Sequence, residues 1–318
     1  MVATDAVAGA RRRMGRVGVW LNNAVTASAP MDAQRRALAR IEELGYGSAW
    51  TGEGPGGRDV FVKLNVWLAA TERLVAGSGI ANLWARPGPT MAGAARATAE
   101  AYPDRLVLGI GVGFAKQAAS LGQEYGRPLA RVRAYLDTMD TPVDTGLAPP
   151  PATAAYPRVL AAVGPKMLAL AAERADGAHP FAAPVATTAE ARAILGPDKL
   201  LVPEQVVIYE PDPVRARAAA REYRALLLEG YRRAAGDPAA MPYSRNLLRL
   251  GFTEEQVTTV DDRVIDATIA YGDEAAIAER LRAHLAAGAD HVLVNPVGAD
   301  LPAITDTLTR LAPTVREL

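Results

Sequence analysis

The fold is decided by the stretch AAVGPKMLALAAERADGAHPF, which runs from Ala161 to Phe181. An apolar run that starts at Arg158 leads into it, Gly164-Pro165 breaks that run, and a helical stretch follows before a second short run at Gly177–Phe181. Proline suits the first position of a helix because it has no N–H group to leave unpaired. A strand, a turn, a helix and another strand in this order predict one βα repeat of a parallel sheet.

The same alternation runs through almost the whole chain. The candidate strands are short runs separated by stretches rich in Ala, Leu, Arg and Glu: Val17–Leu21, Ser48–Thr51, Leu74–Ala81, Leu106–Ile110, Arg158–Val163, Gly177–Phe181, Val202–Tyr209 and His291–Asn295. Eight βα units in 318 residues predict one closed (β/α)8 TIM barrel rather than two dinucleotide-binding halves. The barrel domain is expected over residues 16–318, with a helical insertion at about 236–262 before the last unit and an irregular connector around Pro149-Pro150-Pro151.

The N-terminal residues 1–15 are predicted to form a disordered tail, and their Arg11-Arg12-Arg13 cluster leaves a nucleic-acid or partner-binding arm as the alternative. The tail lacks the apolar stretch of a signal peptide, and no apolar run in the chain reaches the length of a membrane span. We therefore expect a cytoplasmic protein with no membrane partner.

The composition narrows the kinds of partner. Lys+Arg and Asp+Glu number 35 each, so there is no global field to attract nucleic acid, and a small molecule is the expected partner. The absence of cysteine excludes disulfides, thiolate metal sites and cysteine nucleophiles. The three histidines have no metal-ligand spacing, so no metal is expected. The sequence leaves open whether the protein forms a homodimer.

In a barrel of this kind, chemistry takes place at the carboxyl ends of the strands. Glu53 follows the second strand and is a candidate general acid or substrate anchor, or else a solvated loop carboxylate. Gly77 and Gly79 lie within the third strand, where glycine marks a close approach of a ligand or of another backbone. This strand end, with Asn82, is therefore a candidate support for a flat ring, or a tightly packed barrel corner.

The fourth strand ends in Gly111-Val112-Gly113, whose glycines would keep the backbone low at the barrel mouth. Phe114 stands where a dinucleotide fingerprint would have its third glycine, which argues against dinucleotide binding.

The opening stretch predicts an anion site. Unpaired N–H groups at the helix start and the charge of Lys166 both favour an anion such as a phosphate. A surface lysine is the simpler alternative, and a Schiff-base lysine is a further one that its place after Gly164-Pro165 disfavours. The sixth strand places Gly177-Ala178 near the same edge, and His179 there is a candidate hydrogen-bond partner for a cofactor or substrate.

Several of these segments jointly resemble the luciferase-like monooxygenase superfamily, in particular its actinobacterial branch that uses the deazaflavin coenzyme F420. The matching stretches are ELGYGSAWTGE (43–53), LVAGSGIANLWAR (74–86), PDRLVLGIGVG (103–113), YGRPLARVRAYLD (125–137), VLAAVGPKMLALAAERADGAHPF (159–181) and AGADHVLVNP (287–296).

The resemblance implies a flavin or deazaflavin bound across the mouth of the barrel, with a non-prolyl cis peptide at Gly79-Ile80 or Ile80-Ala81. Its phosphate would lie on the helix start, with help from the sixth strand. The cofactor-binding residues implied are Gly79, Ile80, Ala81, Asn82, Gly111, Val112, Gly113, Gly164, Pro165, Lys166, Met167, Gly177 and Ala178.

The chain also departs from the sugar-phosphate dehydrogenases of that superfamily, which carry a histidine after the second strand and a glutamate after the fourth. Gly52-Glu53 and Phe114 stand in those places, so that substrate is not carried over. Aromatic residues near the strand ends predict a pocket for an apolar or aromatic ligand, or ordinary packing: Trp20, Trp50, Trp84, Phe114 and Phe181.

The sequence thus predicts an oxidoreductase that moves a hydride between coenzyme F420 and an organic substrate, with Glu53 and then His179 as proton-transfer residues. A monooxygenase that uses flavin mononucleotide (FMN) and oxygen is one alternative. A non-catalytic barrel that only binds the cofactor is another.

Overall fold

The computed structural model describes residues 2–54, 56–143 and 154–318, so the run Pro149-Pro150-Pro151 lies outside the described residues. The strands of these ranges are all paired in parallel. They are β1 (Val17–Leu21), β2 (Ser48–Thr51), β3 (Val75–Ser78), β4 (Ala81–Asn82), β5 (Leu106–Gly111), β6 (Arg158–Ala161), β7 (Gly177–His179), β8 (Leu200–Leu201), β9 (Glu204–Tyr209), β10 (Ile269–Gly272) and β11 (Val292–Pro296).

The helices lie between the strands in the alternating order that the sequence predicts. They are α1 (Val2–Met14), α2 (Asn23–Ser28), α3 (Met31–Glu43), α4 (Val60–Ala69), α5 (Gly88–Ala101), α6 (Ala115–Ser120), α7 (Pro128–Asp140), α8 (Pro165–Arg174), α9 (Val185–Leu195), α10 (Pro213–Ala235), α11 (Pro242–Arg249), α12 (Glu254–Thr258), α13 (Asp262–Thr268), α14 (Glu274–Ala286) and α15 (Leu301–Val315). Asp59, Asp212, Asp273 and Asp300 cap helix N-termini through their carboxylates, as short acidic side chains commonly do.

The sheet closes into a barrel through the segment that contains β8 and β9. β8 pairs with β7, whereas β9 pairs with β11, and only Val202-Pro203 separates the two. The Val202 N–H donates to the Ala178 carbonyl at 3.0 Å, and the Leu293 N–H donates to the Pro203 carbonyl at 2.9 Å. The predicted (β/α)8 barrel is therefore confirmed, and the predicted strand at Val202–Tyr209 is two strands because Pro203 has no N–H for the ladder.

The interior of the barrel is filled by large apolar side chains. Trp50 is fully buried there, and a Cβ at Gly77 would lie 2.2 Å from its indole ring. Gly77 is therefore a glycine because Trp50 needs the space, which is the packing alternative that the sequence left open for this strand.

The N-terminal segment differs from the sequence prediction. Residues 2–14 form α1 rather than a disordered tail, and Val7, Ala10 and Met14 of this helix are buried against the barrel interior. Their spacing of three and four residues places them on one face of the helix. Arg11 is not a free arm either, because it pairs with Asp290 at 2.9 Å.

The expected insertion at about 236–262 is helical, with α11 and α12 inside it and α13 starting at its end. The sequence analysis did not predict β10, the strand that comes after α13 and pairs with β9. The chain therefore returns to the sheet before α14 and the last strand.

Candidate active site

A cavity of about 450 Å³ opens at the carboxyl ends of the barrel strands. Its wall comes from the strand ends, the loops that follow them and the helical insertion. The lining residues are Trp20, Asn23, Gly52, Glu53, Gly54, Gly79, Ile80, Asn82, Val112, Gly113, Phe114, Gln117, Tyr125, Pro128, Ala161, Ala162, Val163, Gly164, Met167, His179, Phe181, Pro242 and Tyr243.

A cis peptide bond joins Gly79 to Ile80 at the end of β3, the first of the two positions that the resemblance implied. The Trp20 indole N–H donates to the Gly79 carbonyl at 3.1 Å. A Cβ at residue 79 would lie 2.6 Å from Trp20 Nε1 and 3.0 Å from His179 Nε2. Residue 79 is therefore a glycine because Trp20 and His179 already occupy the space that a side chain would need.

His179 is fixed in one tautomer by its neighbour. Its Nδ1 lies 2.7 Å from the Val202 carbonyl oxygen, which only accepts, so Nδ1 carries the proton and Nε2 has a free lone pair. Burial lowers the pKa of His179 to about 4, which keeps the ring neutral near pH 7. No described residue donates a hydrogen bond to Nε2.

Glu53 also lines the cavity, but its carboxylate is engaged on both oxygens. It pairs with the Arg86 guanidinium, and it accepts from the backbone N–H groups of Val60 at 3.2 Å and Asn82 at 2.9 Å. A carboxylate held by these donors ties the loop after β2 to β4. Both oxygens of Glu53 therefore have partners in this structure, and its role in proton transfer stays a prediction.

Asn82 and Gln117 form a second polar contact in the wall. The side-chain oxygen of Asn82 accepts from the Trp84 N–H at 3.0 Å, and the side-chain NH2 group of Asn82 donates to Gln117 Oε1 at 3.3 Å. Gln117 Oε1 also accepts from the Phe114 N–H at 3.0 Å. Sequence reasoning missed Gln117, although its place three residues after Phe114, at the start of α6, is the spacing of a capping box.

The start of α8 lies at the rim of the cavity, where Gly164 and Met167 line it and Lys166 is exposed. Gly164 is the N-cap and has no side chain to cap the helix, Pro165 has no N–H, and the Met167 N–H donates to the Gly164 carbonyl at 3.1 Å. In the described structure the Lys166 N–H is therefore the amide of the first turn that remains able to bind an anion. The other part of the expected phosphate site is not at the rim. Gly177 and Ala178 lie inside β7, paired with β6 and β8, because the mouth begins only at His179.

Three further residues from the cofactor prediction do not line the cavity. These are Ala81, Gly111 and Pro165. Gly111 packs beneath Ile80, whose Cγ1 would lie 2.8 Å from a Cβ at that position. The sequence prediction thus included strand residues that do not line the cavity, because alternate residues of a strand face opposite sides of the sheet.

Of the five aromatic residues predicted to form the pocket, three line the cavity and two do not. Trp20, Phe114 and Phe181 line the cavity. Trp50 lies inside the barrel and donates to Ser48 Oγ at 3.0 Å, and Trp84 donates to the Val112 carbonyl at 2.7 Å outside the lining. Both indoles therefore support the scaffold rather than the pocket wall.

Two tyrosines were missed by the sequence analysis. Tyr243 comes from α11 of the insertion, and its ring centre lies 5.8 Å from that of Phe181. Tyr125 donates to the Gly113 carbonyl at 2.9 Å. No strand-end signal marks either residue, because both reach the cavity from helical or loop segments far along the chain.

Within the described ranges, no cluster of His, Cys, Asp and Glu has an arrangement able to hold a metal ion. None of the helices in those ranges combines the length and the apolar character that a membrane span requires.

The fold and the cavity together define a (β/α)8 barrel with a ligand site at its mouth. The chain belongs to the luciferase-like monooxygenase family, an enzyme family whose model matches residues 14–291. This confirms the resemblance found in the sequence.

Two of the proteins similar to this chain are named as F420-dependent, and a third was solved with FMN. Rv3520c of Mycobacterium tuberculosis, provisionally named a coenzyme F420-dependent oxidoreductase, is 26% identical over 85% of this chain and 92% of its own length. The F420-dependent tetrahydromethanopterin reductase of Methanopyrus kandleri superimposes with a TM-score of 0.68 at 18% identity, over 94% of this chain and 98% of that one. The oxygenating constituent of the 3,6-diketocamphane monooxygenase of Pseudomonas putida, solved with FMN, gives a TM-score of 0.68 at 14% identity, over the same two fractions.

Proposed function

We propose that this protein is an oxidoreductase that transfers a hydride between coenzyme F420 and an apolar or aromatic organic substrate bound in the cavity. The observation that carries the proposal is the cavity of about 450 Å³ at the barrel mouth, whose wall includes the backbone of Gly79-Ile80 and the aromatic side chains of Trp20, Phe114 and Phe181. The family and the name of the mycobacterial relative support the choice of cofactor.

The residues present fit such a cofactor. The backbone of Gly79, Ile80 and Gly113 would support the ring, and the start of α8 with Lys166 would bind its phosphate. When bound, the cofactor supplies the hydride chemistry. Trp20, Phe181 and their neighbours would orient the substrate and exclude water.

The first experiment is a fluorescence titration of the purified protein with F420 and, separately, with FMN. We expect tighter binding of F420. Tighter binding of FMN would move the proposal to oxygen chemistry, and binding of neither would remove both cofactors from this cavity.

Lys166→Ala should weaken F420 binding by about 1–3 kcal/mol, which is the scale of a hydrogen bond to a charged group. The matched control is Arg12→Ala, which removes a positive charge from the exposed side of α1 at the other end of the barrel. An unchanged Kd in Lys166→Ala would place the phosphate elsewhere.

The second candidate function is an FMN-dependent monooxygenase, since the fold is shared to the same degree with the FMN-bound enzyme. Oxygen consumption with reduced FMN and a substrate would favour it. Cofactor binding without any substrate-dependent oxidation would instead indicate a binding protein.

A further inference from the structure

His179 Nε2 is a buried hydrogen-bond acceptor that the described protein leaves unused. The residue is 1% exposed, it lines the cavity, and its Nδ1 proton is committed to Val202. Nε2 lies beside the backbone of Gly79, where a Cβ would come within 3.0 Å of it. A buried acceptor without a partner is unfavourable by about 1–3 kcal/mol, so a ligand that donates to it gains affinity.

Four other polar side chains of the cavity wall already have partners. Asn23 Oδ1 accepts from Lys63 at 3.0 Å, and the Glu53 carboxylate is held by Arg86 and two backbone amides. The Asn82 and Gln117 amides bind each other. Compared with these four groups, His179 Nε2 is a buried acceptor that has no partner in the described structure, so it favours a ligand that donates a hydrogen bond.

The charge of the wall limits the ligand further. None of the described residues that line the cavity is Lys or Arg, and its carboxylate, Glu53, is neutralised by Arg86. Trp20, Phe114, Phe181 and Tyr243 give the wall a mostly aromatic surface. An anionic substrate would lose its hydration there without gaining a counter-charge.

We propose that the substrate is a neutral, largely apolar molecule with one O–H or N–H donor, which binds to His179 Nε2 beside Gly79. This inference rests on the proposed function, because it names the substrate class of the same cavity. It adds a chemical requirement that an apolar pocket alone does not impose.

The test compares naphthol with fluoronaphthalene, which has nearly the same shape but no donor, and with naphthoate, which is anionic. Binding to the F420-saturated protein is measured by isothermal titration calorimetry, after the cofactor titration itself. We expect naphthol to bind about tenfold more tightly than either analogue, a difference of about 1.4 kcal/mol, which lies within the range of a hydrogen bond to a buried acceptor.

Two variants test whether His179 Nε2 is the atom that accepts the hydrogen bond from the ligand. His179→Asn keeps an amide N–H near the Nδ1 position for the Val202 carbonyl but has no atom at the Nε2 position, so the preference for naphthol should fall below about threefold. His179→Gln places an amide oxygen near the Nε2 position and should keep most of the preference.

The outcomes separate the two proposals. If the wild-type protein binds F420 but treats naphthol and fluoronaphthalene alike, the donor requirement is wrong and the proposed function stands. A preference that is present in the cofactor-free protein and absent when F420 is bound would mean that the cofactor is the donor, and would also overturn the inference. Failure to bind F420 in the first titration would count against the proposed function instead. The wild-type comparison decides the matter even if a variant does not fold.

Discussion

Glu53 joins three segments of the barrel mouth through one carboxylate. Its side chain and that of Arg86 are 4% and 9% exposed, and Arg86 also pairs with Asp59 at the start of α4. A buried ion pair stabilises a fold mainly because removing one partner strands the other charge. At the scale of single residues, the carboxylate predicted to transfer a proton is held in a buried ion pair, and its catalytic role stays a prediction.

Glu53→Gln should therefore lower the free energy of unfolding by about 3 kcal/mol, because it leaves the Arg86 charge buried with only Asp59 beside it. Urea denaturation measures the change. Glu43→Gln is the matched control, since Glu43 forms an exposed pair with Arg40 on α3 and its loss should have no measurable effect. Unchanged stability together with lost turnover would support the role of Glu53 as proton donor.

At the scale of elements, α1 shows how tertiary contacts order a segment that local signals leave undecided. The helix is short enough to be marginal in water on its own. The barrel interior covers Val7, Ala10 and Met14, and the salt bridge between Arg11 and Asp290 adds a contact on the same side of the helix. Packing therefore supplies the stability of α1.

Met14→Ala should lower the free energy of unfolding by about 2–5 kcal/mol, because Met14 is 1% exposed and its truncation leaves a cavity. Arg12→Ala, on the exposed side of the same helix, should leave the urea midpoint unchanged. Equal midpoints for all three proteins would mean that α1 is not packed in solution.

The errors of the sequence analysis in placing strands share one physical reason. Pro203 divides the predicted strand Val202–Tyr209, and Ile269–Gly272 has only four residues, with glycine at its end. Short strands carry too few residues for a period of two to stand out, and only the neighbouring strand decides whether they pair. The longer elements, such as α3 and α14, were predictable because their apolar residues recur at helical spacing.

At the scale of the whole molecule, three histidines are buried at different points of the barrel. Burial lowers the pKa of His179 and His291 to about 4 and that of His284 to about 3. Each is neutral in the folded protein but takes up a proton near pH 6.5 when unfolded. The stabilisation from each is thus present above about pH 6.5 and lost as the pH falls to about 4.

We predict that the unfolding free energy, measured by urea titration, falls by several kcal/mol between about pH 7 and about pH 5. Glu204 acts in the opposite sense, because burial raises its pKa to about 7 and its stabilisation is lost as the pH rises from 4.5 through 7. Glu204→Gln should therefore make the dependence on pH steeper. A stability that does not change over this range would contradict the burial of the histidines.

The resemblance to the luciferase-like family placed the cis peptide to within one bond. The sequence by itself determined the class of fold and the glycine and proline pattern at the start of α8. These features depend on the periodicity and backbone chemistry of neighbouring residues, which the order of the chain records directly. It also placed Trp20, Phe114, Phe181 and His179 at the mouth, because parallel strands end on one side of a barrel.

Only the tertiary structure decided what these strand-end groups do. Glu53 is held in an ion pair because Arg86, 33 positions further along the chain, folds against it. Trp50 faces the barrel interior, Tyr243 reaches the cavity from the insertion, and α1 is ordered by contact with the barrel. Such roles depend on which distant side chains share one buried volume, and local sequence does not carry that information because burial and pairing arise only when the chain closes on itself.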